Sequence, residues 1–75
     1  MKPELSQRRL ALELRFQIDS CRNMAFNSPV STRQQARQRV RRLIRENPHN
    51  FRSAHVRHNL GEARLAWLSD NQLVP

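Results

Sequence analysis

Apolar residues recur along this chain at helical spacing, and nowhere do they alternate with polar ones over the length of a strand. Leu10, Leu14, Ile18, Cys21 and Ala25 follow one another at intervals of four, four, three and four. That makes one continuous stripe on a helix predicted over residues 4–25, with Pro3 and Glu4 suited to its first turn. Leu5, Leu12 and Phe16 fall on nearly the opposite side, so the first helix is apolar on two faces. A helix of that kind is either central in a bundle or paired with another chain, and this second face is the candidate surface for a homodimer or a partner.

Residues 26–30, Phe-Asn-Ser-Pro-Val, read as a turn, because Pro29 pushes Ser28 out of helical geometry. A second helix is predicted over 31–46, where Ala36, Val40, Leu43 and Ile44 share one side. Ser31 or Thr32 is expected to cap it, with Gln34 or Gln35 completing a capping box, and Pro48 ends it. The third predicted helix, over 50–69, has Asn50 as its cap and Val56, Leu60, Ala63 and Trp67 as its inner stripe, with Leu65 and Leu68 directed elsewhere. Gly61 is unfavourable in a helix interior, which marks 59–61 as a place where this helix breaks in two. Residues 73–75 read as a frayed tail unless they dock on the core. The expected fold is therefore all-α, a single small basic domain over residues 1–75 with three helices, or four if the break is complete.

Leu, Ile, Val and Phe together supply 18 of the 75 residues, enough to build a core and to exclude a disordered chain. A domain of this length buries only about 60% of its unfolded surface, so a second copy or a bound partner would help to hold it. No apolar run approaches the roughly 20 residues of a membrane span. Cys21 stands alone and is expected to be a small buried apolar residue, and no basic-then-apolar leader precedes the first helix, which is the pattern of a cytoplasmic protein.

Charge changes the picture from fold to function. The net charge is +8, and arginine outnumbers lysine thirteen to one. Guanidinium groups fork onto phosphates and carboxylates and stack on bases, so the bias toward arginine fits recognition of an anion. Seven arginines and no acid lie between Asp19 and Glu46. Arg33, Arg37, Arg41 and Arg45 repeat every four residues, and like charges at that spacing cost a helix about 0.2–0.5 kcal/mol per pair. With Val40 turned inward, Gln34, Gln38, Arg41, Arg42 and Arg45 face out, while Arg52 and Arg57 follow across a short connection that would suit a helix-turn-helix-like arrangement. Mixed Gln and Arg on one helical face can contact base edges and phosphates of DNA or RNA alike.

The expected function is that of a small basic regulator binding nucleic acid through Arg33, Gln34, Arg37, Gln38, Arg41, Arg42, Arg45, Arg52 and Arg57. The alternative is a small inhibitor or adaptor, of the kind mobile elements and phages encode, that docks its arginines and apolar anchors on an acidic protein surface. No cofactor or membrane partner is implied. His55, His58 and Glu62 have a spacing that metal ligands use, but without paired cysteines the expectation is a solvated polar stripe in which His58 and Glu62 pair weakly. With one glycine there is no phosphate-cradling loop and no nucleophile elbow, and no acid pair sits beside a histidine, so an enzyme is not expected.

Overall fold

The computed structural model describes residues 2–24 and 28–74, and these are all-helical. Four helices follow in order: α1 (Gln7–Arg22), α2 (Val30–Glu46), α3 (Pro48–Phe51) and α4 (Ala54–Asp70). The predicted turn at 26–30 and Ala25 of the first stripe fall wholly or partly outside the described residues. No helix among those described is long and apolar enough to cross a membrane.

α1 is the central element, and both other long helices pack on it with their backbones held apart from each other. Its inner stripe is as the spacing requires: Leu10, Leu14 and Ile18 are fully buried, and Ala11 joins them. They cluster with Val40 and Ile44 of α2, Phe51 of α3, and Val56, Leu60 and Leu68 of α4, while Ala36 of α2 is buried as well. Cys21 is half-buried at the edge of this core. Burial raises its thiol pKa above the usual value, and the charges of Arg37 and Arg39 oppose the shift.

Helix starts differ from those predicted, each for a local reason. α1 begins at Gln7 because the Ser6 Oγ accepts the Arg9 N–H at 3.2 Å, which leaves Glu4 and Leu5 as an extended strap. That strap is tied to α3. The Glu4 carboxylate accepts the backbone N–H of His49 (3.2 Å) and of Asn50 (2.9 Å), serving as a cap from 45 and 46 residues away. The Asn50 side-chain amide donates to the Leu5 carbonyl. Asn47, only 3% exposed, accepts the Leu5 N–H at 2.7 Å and donates to the Leu43 carbonyl at 2.8 Å. Asn50 is thus a clasp inside α3 and not the cap of the next helix. Ser53 takes that role, its Oγ accepting the Val56 N–H at 3.2 Å.

α2 starts one residue before Ser31, with Pro29 at the cap position and no side-chain cap bond, so the expected capping box does not form. Proline's fixed φ presets the helix entry before the hydroxyls are reached. At the other end the helix stops at Glu46 ahead of Pro48, as expected.

α4 runs through Gly61, whose φ of 80° and ψ of 166° form a kink. The kink shifts the phase of everything after it. Ala63 is exposed and Trp67 half-buried, whereas Leu68, expected to point away, is fully buried. Of the predicted tail, Leu73 and Val74 dock on the core, while Pro75 lies outside the described residues. Gln72 adopts a φ of 57°, the Gln72 N–H donates to the Ser69 carbonyl (3.0 Å), and the Leu73 N–H donates to that of Leu68 (2.9 Å). This is a Schellman closure, and it seats Leu73 in the core against α4.

Candidate functional site

α2 exposes a nearly continuous polar surface. Gln34, Arg37, Gln38, Arg39, Arg41, Arg42 and Arg45 are all exposed. Arg33 is not among them: it lies half-buried, seven residues before Val40 and hence on the inner side of the helix. Its Nε is shielded from water without a hydrogen-bond partner among the described residues.

The exposed α2 arginines fall into two sets. Arg37, Arg39 and Arg42 lie off the main groove. Arg41 and Arg45 instead border that groove, which has a volume of about 850 Å³ and also takes in Arg52 and Arg57. The groove forms where α2 and α4 both pack on α1 with their backbones held apart. α3 closes one end through Pro48 and Phe51, and its floor is apolar, built from Ile44, Leu65, Leu73 and Val74. Four cations from three segments therefore line one apolar trough, with no carboxylate lining it among the described residues.

The expected helix-turn-helix-like arrangement is not formed. Pro48 opens a turn of helix in its own right, Phe51 anchors it in the core, and α4 is held away from α2. The connection works as a spacer.

Three of the six acidic side chains are engaged elsewhere. Glu13 pairs with Arg9 at 2.9 Å, Glu4 with His49 at 3.0 Å, and Asp19 with Arg64 at 2.8 Å. The Asn50 N–H, and secondarily His49, hold the Glu4 carboxyl below its ordinary pKa. Asp19 is likewise held low, chiefly by its hydrogen bonds to Arg64. None of these carboxylates reaches an arginine of α2, nor Arg52 or Arg57, so among the described residues those cations have no ion-pair partner.

Of the residues predicted for a second apolar face, Leu12 and Phe16 are 54% and 69% exposed and border a shallow depression with Arg9, Glu13 and Gln17. Leu5 does not belong with them. It precedes α1, and its side chain packs against the core under the strap. His58 and Glu62 form no ion pair, because the Gly61 kink separates them.

The groove floor was hidden from the sequence. Leu65, Leu73 and Val74 come together only through the kink at Gly61 and the closure at Gln72, and the sole signal for the second is the apolar pair Leu68 and Leu73 at Schellman spacing. Comparison of the chain with protein-family models, with curated proteins and with solved structures gives no match.

Proposed function

We propose that this chain is a small nucleic-acid-binding protein whose α2 lies along a phosphate backbone. The supporting observation is that, among the described residues, the exposed α2 arginines have no ion-pair partner, while Glu4, Glu13 and Asp19 are paired elsewhere in the fold. Unpaired guanidinium groups in a row repel one another, and a polyanion removes that repulsion while releasing its own counterions. Arg37, Arg41, Arg42 and Arg45 supply phosphate contacts, and Gln34 and Gln38 between them can reach base edges. Arg52 and Arg57 extend the positive field past the end of α2.

The test is the affinity for short DNA and RNA oligonucleotides, duplex and single-stranded, at low and moderate salt. Contact with six or so phosphates weakens binding about 10³-fold between roughly 50 and 200 mM salt. Replacing Arg41, Arg42 and Arg45 together with alanine removes that binding and leaves the helical circular dichroism unchanged. Binding that survives the triple substitution assigns the function to another surface.

A second reading, an adaptor or inhibitor docking on an acidic protein, draws support from the exposure of Leu12 and Phe16. An aromatic and a leucine bare on one helix face, bordered by Arg9, are the anchors such docking uses.

A further inference from the structure

The groove between α2, α3 and α4 calls for a different ligand from the one that suits the outer face of α2. Phosphates have no use for an apolar floor, and the groove offers no free aromatic face on which a base could stack, since Phe51 is nearly fully buried. Its exposed floor is aliphatic, from Leu65 and Val74, and its lining is cationic, with Arg41 and Arg45 from α2, Arg52 from the end of α3 and Arg57 from α4. An apolar trough lined by positive charge is complementary to an amphipathic helix with acidic flanks, whose i, i+3, i+4 and i+7 side chains enter the trough while its carboxylates meet the arginines. We infer that this groove is the docking site for an acidic amphipathic helix of a partner protein.

The inference does not depend on nucleic-acid binding, but the two share Arg41 and Arg45, and Arg52 and Arg57 at the margin of the phosphate track. A docked acidic helix neutralises the end of the phosphate track, so the partner and a nucleic acid compete. The partner thereby becomes a regulator of whatever the outer face holds.

The experiment uses the whole chain, isotopically labelled, and a synthetic helical peptide with leucine and phenylalanine along one face and glutamate on its flanks. A peptide of the same composition, scrambled to destroy the stripe, is the control. The expected result is saturable shifts of the backbone amides of Arg52, Arg57, Leu65 and Val74, with the scrambled peptide at least about tenfold weaker. Leu65→Asp, and separately Arg57→Glu, weaken the designed peptide by about tenfold or more, while Arg39→Glu, which lies off the groove, changes it by less than about twofold. Should Leu65→Asp fail to fold, Val74→Asp at the end of the chain tests the same floor.

Equal affinity for the scrambled peptide, or an Arg39→Glu effect as large as that of Arg57→Glu, would mean diffuse attraction between opposite charges and would overturn the assignment. So would groove amides that respond to an oligonucleotide and not to the peptide. Loss of oligonucleotide binding alone bears on the outer face of α2 and leaves the groove's assignment standing.

Discussion

Asp19 and Arg64 face each other across the contact between α1 and α4 in a two-bond fork, Nε to Oδ1 at 2.9 Å and Nη2 to Oδ2 at 2.8 Å. The third nitrogen of the guanidinium donates to the Leu60 carbonyl at 3.0 Å, beside the kink at Gly61. One side chain thus fixes both the angle of the kink and its position on α1. Because Asp19 is partly solvated, its share of stability is limited to about 1 kcal/mol. Asp19→Asn and Arg64→Gln should each cost about that much in urea unfolding, and the double variant little more than either alone.

The same pair sets the acid limb of the stability curve. Asp19 and Glu4 both have carboxyl pKa values below those of the unfolded chain, so their contribution is complete above the unfolded values, near about pH 4. It is lost as pH falls through the lower folded values. Urea midpoints should therefore be flat with respect to these two groups above about pH 5 and decline below about pH 4. In the Asp19→Asn, Glu4→Gln double variant that decline should flatten.

Gly61 and Gln72 make opposite predictions about the left-handed region. A Cβ at Gly61 would meet nothing within 4 Å, so Gly61→Ala is penalised by backbone strain alone, at about 1–2 kcal/mol. For a domain of this size that lowers Tm by roughly 4–8 °C per kcal/mol. Gln72 already holds a φ of 57°, and Gln72→Gly should raise stability by a few tenths to about 1 kcal/mol. Thermal melts of the two variants decide both signs.

Asn47 is the buried link between strap and α2. Asn47→Ala strands the Leu5 N–H and the Leu43 carbonyl and should cost about 1–3 kcal/mol. Hydrogen exchange at Leu5, His49 and Asn50 should accelerate by a larger factor than at Leu14 or Val40, because the strap is released before the core. Uniform acceleration would mean that the strap and the core open as one unit.

Function and stability are opposed on α2. Arg41 and Arg45 repel across one turn, as do Arg37 and Arg41, at about 0.2–0.5 kcal/mol per pair. Arg41→Gln should raise the unfolding midpoint slightly while weakening oligonucleotide affinity severalfold and reducing its salt slope by about one. Loss of stability together with affinity would show Arg41 to be structural.

Much of the fold was legible where a 3.6-residue period ran uninterrupted, as from Leu10 through Ile18 and from Ala36 through Ile44. It stopped being legible at Gly61, since a period read straight through a φ of 80° assigns Ala63 to the core and Leu68 to the outside. Capping was misread where several residues competed for one role. Pro29 forestalled Ser31 and Thr32, and Ser53 did the work expected of Asn50. The outer arginines were visible because exposure on α2 follows from Val40 facing inward. Arg33, named with the binding residues, shares the face of Val40 and is half-buried. The groove is a tertiary product, and nothing local in sequence joins Arg45 to Val74.

The ties between strap and α3 and between Asp19 and Arg64 span 42 to 46 residues, more than half the chain in each case. Closing a loop of that length in a disordered chain costs about 3 kcal/mol, whatever bond is made at its end. No single tie is strong enough to meet that cost, so in folding each must wait until burial of Leu10, Leu14 and Ile18 has brought the segments together. Substitutions at Asp19, Glu4 or Asn47 should therefore leave the refolding rate nearly unchanged and appear almost wholly as faster unfolding. The chain's opening residues act as a latch on its lifetime in the native state, set after the structure they secure is already in place.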